Sequence, residues 1–517
     1  MRRPGSRHVI IGAAVAVFLV TGVLPLVYML ATSIGDVPVR VLLLDARQRQ
    51  LLANSSLLAT AAALLAAAIG VPLGFGLARL SVPGTSLLRI VLAAPVLLPP
   101  YIVALAWVYV GGSAGIVAEI IGRDVLSAWT YSLPAAAVVL ALVYYPVVML
   151  AIEAALRQLD AHLEEAGLIA ARAGRVLWRI TVPLVAPATG ASVLIVFVLA
   201  MSEFGVPALL RVRVYPTEVF TAFAALFDFS RATALTIPLL VLTAAIGAIA
   251  AVLVGGGVVA GQHRAGATPI SATSCRVPIG VTACAAVALA VVLPIAILVR
   301  EADDVFTVAR GSWPSIRASL LLAAVGATLV VIVGGILGYA RARSSIRVGH
   351  AADVLWVVLF AVPSTVLGVA LIALWNRPGP LGVVYGTAAM LVLVYLARLV
   401  PVAALIVSAS ARQVPASQEE AAAVAGASWV RSIGAIVVPQ VTRGLAAAWV
   451  VAFVFAFGEL GASILVSPPG ESTLPIRIYT VIANTPASVV AALALLQVAV
   501  IFTPLAAGAL YVARRGA

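Results

Sequence analysis

Twelve apolar runs recur from end to end of this chain, near residues 9–32, 54–78, 88–111, 132–155, 184–210, 233–258, 277–299, 318–340, 353–375, 383–409, 440–466 and 487–513. A hydrocarbon core needs about 20 apolar residues per crossing helix, and every backbone amide in lipid must be satisfied within its own segment or a closed barrel. The predicted fold class is therefore an all-α integral membrane protein of about 12 transmembrane helices. Composition agrees: 63% of the 517 residues are hydrophobic and 10% charged, against about 25% charged in soluble domains, and mean hydropathy is +1.17. The first run follows MRRPGSRH and is longer than the apolar core of about 7–15 residues in a cleavable signal. It predicts a retained first helix with the N-terminus inside.

Charge then orients the spans. With the N-terminus inside, the inner connections hold Arg79, Arg89, Arg157, Arg172, Arg175, Arg179, Arg264, Arg276, Arg341, Arg343, Arg347, Arg412 and Arg431, and Arg514 and Arg515 end the chain on that side. The outer loops carry acids (Asp36, Asp45, Glu119, Asp124, Glu218, Asp228, Glu301, Asp303, Asp304 and Glu471), although Arg40, Arg47, Arg49, Arg211 and Arg213 lie there too. This bias is the positive-inside pattern. It accounts for the net charge of +13 without nucleic acid, whose binders gather basic residues into one patch or stripe. All 32 basic residues are arginine. A phosphate-cradling Walker A loop needs a lysine, so any ATP-driven work must use a partner's ATPase, and ATP and Mg belong to that partner. No cofactor is expected on this chain. Cys275 and Cys284 fall in a linker and in a span, and His8, His162, His263 and His350 all lie in inner segments. Neither set predicts a disulfide or a metal site.

The chain repeats itself. Glu165-Ala166 answers Glu420-Ala421 and Arg157-Gln158 answers Arg412-Gln413, both 255 positions apart; Pro183 with Pro439, Phe197 with Phe453, Glu203 with Glu459 and Gly205 with Gly461 are 256 apart. One residue is missing from the first copy in between. Upstream, Leu73-Gly74 answers Leu337-Gly338 and Pro99 answers Pro363. Two tandem parallel six-helix repeats follow, over 1–260 and 277–517, with a polar cytoplasmic joint at 261–276. Parallel repeats of this kind are related by an axis along the membrane normal.

Between the fourth and fifth spans of each half lies a segment too polar for lipid and too apolar for a solvated loop. The second copy reads EEAAAVAGASWVRSIGAIVVP, Glu419 to Pro439; the first, EEAGLIAARAGRVLWRITVP, Glu164 to Pro183. Alanines favour a short helix and Gly426 breaks it. A second helical stretch, Trp429 to Val437, is expected to stop at Pro439, which suits the start of the next span. Small residues let another protein approach, and the paired acids offer acceptors to a partner's Arg or Lys. A helix merely resting among headgroups is the plainer reading of one copy; two copies at matching places count against it.

Glu420, Ala421, Ala422, Gly426 and Pro439 resemble the EAA loop of permease subunits in ABC importers. The first copy departs, with Glu165-Ala166-Gly167, Ala170 or Ala171 at the glycine position, and Pro183 after eighteen residues. The resemblance extends over nearly the whole chain. LLPPYIVALAW at 97–107, SEFGVPALL at 202–210 and GELGASILV at 458–466 look most like ferric-iron-type permeases with both halves fused; thiamine permeases share that layout. It implies a type I importer transmembrane domain whose two loops dock on two copies of an ABC ATPase subunit at the cytoplasmic side, with an extracytoplasmic binding protein delivering substrate in a prokaryotic inner membrane. Ferric iron is the first cargo it suggests, then thiamine, a polyamine or an organophosphonate.

Three charges sit inside spans. Glu203 and Glu459 lie 20 residues past their prolines, about 30 Å along a straight helix, and each precedes a glycine by two (Gly205, Gly461), where the helix is expected to loosen. Intramembrane carboxylates face a cavity or a partner, so one reading places the pair at the pathway or its outer gate; the other has them capping a helix end or meeting an arginine such as Arg211. Arg398, with no basic counterpart in the first half, either pairs with Glu459 or lines the pathway for an anionic substrate. The rival class is a twelve-span ion-coupled secondary transporter using the same acids, which would have no use for the duplicated loops. A membrane-embedded enzyme has neither a His-Glu-x-x-His cluster nor a nucleophile elbow to build on.

Overall fold

The computed structural model describes residues 6–36, 45–80, 84–113, 115–117, 123–257, 275–470 and 472–515, and all regular structure among them is helical. Most of the joint expected at 261–276 falls outside the described residues, as do Arg40, Glu119, His263, Arg264 and Glu471, and the side chains of Asp36, Asp124, Arg514 and Arg515. The spans are α1 (Ser6–Thr32), α2 (Ala46–Arg79), α3 (Thr85–Leu97 with Pro100–Gly111), α4 (Leu133–Gln158), α5 (Ala173–Met201), α6 (Phe229–Leu253), α7 (Arg276–Glu301), α8 (Trp313–Ala342), α9 (Ile346–Ala361 with Ser364–Trp375), α10 (Ala389–Ala411), α11 (Trp429–Phe457) and α12 (Ala487–Pro504). Among the described residues, ten single helices are long and apolar enough to cross a membrane, and two bent pairs bring the number to twelve if each is one span.

Those bent pairs correct the straight third and ninth spans that hydropathy predicts. The two limbs of α3 meet at 85° and those of α9 at 95°. The cause is local. Proline lacks the amide hydrogen and forces the residue before it into extended backbone; Leu98 (ψ 130°) precedes Pro99, and Val362 (ψ 125°) precedes Pro363. Beyond each bend the second limb turns into protein: Tyr101 to Ala106 and Ser364 to Ile372 are buried throughout. Broken backbone at membrane depth survives only where protein surrounds it. Ion pairs hold the first limbs. In α3, Arg89 reaches Glu153 of α4 at 2.6 Å, and Arg157 reaches the same acid at 2.9 Å. In α9 the signs are exchanged, with Asp353 taking Arg341 at 2.6 Å and Arg412 at 3.8 Å.

The fifth and eleventh spans are also shorter than expected, ending at Met201 and Phe457 rather than 210 and 466. At their other ends they are longer. Pro183 and Pro439 do not stop a helix: the chain runs on from Ala173 and from Trp429 through widened turns, Leu177–Thr181 and Ile433–Val437, closed by hydrogen bonds to the fifth residue back. Such a π-turn accommodates a proline ring that would clash with the carbonyl four residues earlier. The same device precedes Pro25 (Leu19–Val23) and Pro294 (Ala288–Val292).

The chain forms two compact units. One contains α2 to α5 of the first half together with α7 and α12; the other contains α8 to α11 of the second half together with α1 and the beginning of α6. The compact units therefore do not coincide with the two halves expected from the sequence: α1 packs in the unit of α8 to α11, and α7 and α12 in the unit of α2 to α5. Within the first unit α7 lies against α2, α3 and α12; within the second α1 lies against α8, α10 and the second limb of α9. In each, one pair of spans is pressed together by glycine. Gly70 and Gly74 of α2 sit on α4, and Gly334 and Gly338 of α8 sit on α10: a Cβ on Gly74 would lie 2.5 Å from the Met149 carbonyl oxygen, and one on Gly338 2.6 Å from that of Ala404. Small residues four apart allow this approach.

Candidate functional site

The second motif loop opens at Pro415 with the helix Ala416–Val424. It closes through amide bonds from Ala425 to the Ala421 carbonyl, from Gly426 to Ala423 and from Ala427 to Ala422. Gly426 has φ +81° with open space where a Cβ would be, so backbone handedness, not room, selects glycine here. Ser428 then caps the start of α11, accepting from the Arg431 amide at 3.4 Å.

The two adjacent acids part company. Glu419 turns inward. Arg343, one residue past α8, donates to it from Nε at 2.8 Å and Nη2 at 2.5 Å, and Tyr339 donates its hydroxyl at 2.5 Å. Trp429 in turn donates to the Tyr339 oxygen at 3.3 Å, and the Tyr339 ring belongs to an apolar cluster with Val414, Val437 and Val441. Arg343 also bonds the Val414 carbonyl at 3.0 Å. Glu420 and Ala421 are exposed, and Ala422 is half-buried.

The first loop repeats this division with other partners. Glu164, in the helix Ala161–Ala170, is fully buried; Arg79 at the end of α2 donates to it at 2.7 Å, and so does Thr181. Among the described residues its second oxygen and the Arg79 Nε have no hydrogen-bond partner. Glu165, half exposed, meets His162 at 3.1 Å. The departures from the second copy have physical reasons. Gly167 stands where Ala422 does because a Cβ there would come within 2.8 Å of Ile180 and 3.1 Å of Val176. The helix ends after Ala170 with Ala171 in extended backbone (φ −150°), so the shorter turn has no left-handed residue and needs no glycine. The missing residue of the first copy lies in that turn.

The expectation of paired acceptors for a partner is therefore corrected: Glu164 and Glu419 are engaged inside the chain, and Glu165 and Glu420 remain outside. Sequence reading also missed two residues. Ile169 is 89% exposed and Val424 90%, at equivalent positions 255 apart. Each stands four residues after the outward acid, hence on the same helix face. An apolar residue in an alanine-rich stretch carries no signal by itself; its recurrence in both copies is the clue.

Glu203 and Glu459 occupy the breaks that follow α5 and α11, where loosening was expected. Glu203 accepts from the Gly205 amide at 2.9 Å, the Val206 amide at 3.4 Å and the Tyr144 hydroxyl at 3.4 Å. A Cβ on Gly205 would lie 2.7 Å from the Cβ of Tyr101, whose hydroxyl donates to Gln497 at 2.6 Å. Glu459 accepts from the Ala462 amide at 3.0 Å and pairs with Arg398 at 3.0 Å, the two side chains 8% and 20% exposed. Of the two readings of Arg398, the pairing is what the geometry places there. Gly461 lies against Ser364 so closely that a Cβ would overlap its hydroxyl. Both carboxylates cap the turn that follows them. The described residues contain no group of three His, Cys, Asp or Glu side chains able to hold a metal ion.

Comparison with known proteins bears on these features together. Residues 330–515, which begin in the second half of α8 and run through α12, match the family model described as "Binding-protein-dependent transport system inner membrane component". The "Putative ferric transport system permease protein FbpB 1" of Haemophilus influenzae is 26% identical over 406 residues, covering 72% of this chain and 62% of that protein. The "Ferric transport system permease protein FbpB" of Actinobacillus pleuropneumoniae is 25% identical over 407 residues, 72% of this chain and 58% of its own length. The chain thus spans about three fifths of these relatives. The "Putative ABC transporter permease protein ORF1" of Streptomyces antibioticus is 36% identical over 159 residues, 31% of this chain and 68% of that one. With its multi-span helical architecture, its duplicated loops and these relatives, the chain belongs to the family of inner-membrane permease components of ABC transport systems.

Proposed function

We propose that this chain is the membrane-spanning permease subunit of an ATP-driven importer, set in the inner membrane of a prokaryote with both termini cytoplasmic. Two copies of an ABC ATPase subunit dock on its cytoplasmic side and carry the ATP and Mg; an extracytoplasmic binding protein delivers the cargo. The observation that carries the reading is the duplicated outward face, Glu165 with Ile169 and Glu420 with Val424. A single exposed apolar side chain is ordinary. The same acid-and-apolar pair at matching places in both repeats fits a surface made for two identical partners, the apolar knob entering a cleft and the carboxylate meeting a cation.

In this reading closure of the ATPases on ATP displaces the two loops and rocks the spans between inward- and outward-facing states. Glu203, and Glu459 held by its ion pair with Arg398, border the pathway or its outer gate. Gly205 and Gly461 let Tyr101 and Ser364 pack close beside the two acids. The chain itself makes and breaks no covalent bond. Ferric iron is the favoured cargo, because two of the relatives carry that word in their names and span most of this chain.

Uptake of radiolabelled ferric iron by native cells tests the reading. It should require this chain and survive collapse of the proton gradient while ATP is maintained, and Glu420→Arg should reduce it about tenfold or more, as loss of a charge-assisted docking contact predicts. Uptake that tracks the proton gradient and ignores Glu420→Arg would favour an ion-coupled carrier. ATP-dependent uptake of thiamine, a polyamine or an organophosphonate instead of iron would replace the cargo alone.

A further inference from the structure

Contacts made by α2 and α8 are duplicated at both ends. At the loop end Arg79 holds Glu164 and Arg343 holds Glu419. At the opposite end Ser55 accepts a hydrogen bond from the Tyr215 amide at 2.8 Å, and Ser319 accepts one from the Leu474 amide at 2.6 Å. Ser55 and Ser319 are 264 positions apart, as are Arg79 and Arg343, and both serines are buried. Tyr215 and Leu474 are each the first residue of the second short helix after the break at Glu203 or Glu459, the first being Gly205–Leu209 or Ser463–Val466. The grip is thus the same in each unit: one unbroken helix is held by the motif loop at one end and by the segment beyond the intramembrane acid at the other. From Ser55 to Arg79, and from Ser319 to Arg343, this is about 36 Å at 1.5 Å per residue.

We infer that α2 and α8 are struts, each carrying the displacement of its motif loop to the segment beyond Glu203 or Glu459. Arg79–Glu164 and Arg343–Glu419 are positioning pairs at one end, with Ser55 and Ser319 at the other. The inference rests on the reading that the loops dock an ATPase. Without the pairs a loop would reach α2 or α8 only through the packing of the spans it is covalently joined to. With them it also grips the end of that third span directly, and the far end of the span meets the backbone beyond the acid. Packed helices transmit such shifts because their interiors are not compressible, and the glycine contacts hold α2 to α4 and α8 to α10 along the way.

The test uses the chain purified from its native membrane with the ATPase it retains, placed in lipid nanodiscs. Cys275 and Cys284, both exposed, are replaced by serine, and Thr480→Cys, at an exposed position in the last turn of the helix Leu474–Val481, reports through its rate of reaction with a membrane-impermeant maleimide. Between the nucleotide-free state and the state trapped with MgATP and orthovanadate that rate should change about fivefold or more. Arg343→Gln and, separately, Ser319→Ala should reduce the change below about twofold while the ATPase stays bound and hydrolyses ATP; Ser319→Thr, which keeps the hydroxyl, should restore it. An undiminished change in both variants, or none in the parent, would overturn the strut. Absence of any ATPase from the parent preparation would remove the docking reading beneath it instead.

Discussion

Arg79→Met is the sharpest perturbation of the first loop. The Arg79 and Glu164 side chains are 3% and 0% exposed, and after the substitution Glu164 keeps only the Thr181 hydroxyl, at 2.7 Å. Removing one partner of a buried pair strands a charge, which costs about 3–5 kcal/mol, whereas replacing both partners by apolar groups is often neutral or better. The equivalent Arg343→Met leaves Glu419 with the Tyr339 hydroxyl and some water, since that carboxylate is 16% exposed; the loss there should be smaller, about 1–3 kcal/mol. The assay is the SDS titration midpoint of the purified chain in mixed micelles, read for wild type, Arg79→Met, Glu164→Met, the double variant and Arg343→Met. The order predicted is Arg79→Met least stable, Arg343→Met intermediate, and the double variant close to wild type. Arg79→Met within about 1 kcal/mol of wild type, or a double variant no better than the single, would refute the claim that this pair is a dry internal link.

Three further outcomes follow from single positions. Gly338→Val places its Cβ 2.6 Å from the Ala404 carbonyl oxygen and should lower the SDS midpoint by the equivalent of about 1–3 kcal/mol; Gly434→Val, where nothing lies within 4 Å, is the control and should not. Gly426→Ala should cost about 1–2 kcal/mol because its φ of +81° is left-handed, while Ala171→Gly at φ −150° changes the same titration by less than about 1 kcal/mol. Arg398→Leu should destabilise by about 3–5 kcal/mol by stranding Glu459, 8% exposed, and Arg398→Leu with Glu459→Leu should recover most of it.

Much of this molecule was legible from residue order. Hydropathy located every span, and the fixed offsets located the two loops, because a repeat preserves spacing. The bends of α3 and α9 leave no mark in hydropathy, since both limbs of each are apolar and hydropathy is blind to direction; the only sequence trace of them is the pairing of Pro99 with Pro363. Prolines misled in the other sense at Pro183 and Pro439, where a π-turn lets the helix continue. Glu419 and Glu420 are indistinguishable as letters. Their separation depends on Arg343, 76 residues away, just as that of Glu164 depends on Arg79, 85 residues away. The exchange of first and last spans between compact units is a packing result that no local pattern encodes.

The central claim is that the outward faces of the two loops each seat one ATPase subunit. Native mass spectrometry of the complex released from its own membrane measures this directly, using wild type, Ile169→Glu, Val424→Glu and the double variant. Both positions are about nine-tenths exposed, so the substitutions should leave the fold intact. Two ATPase subunits on the wild-type chain, one on each single variant and none on the double is the predicted series. An unchanged ATPase count across all four proteins, or none on the wild type, would contradict the account.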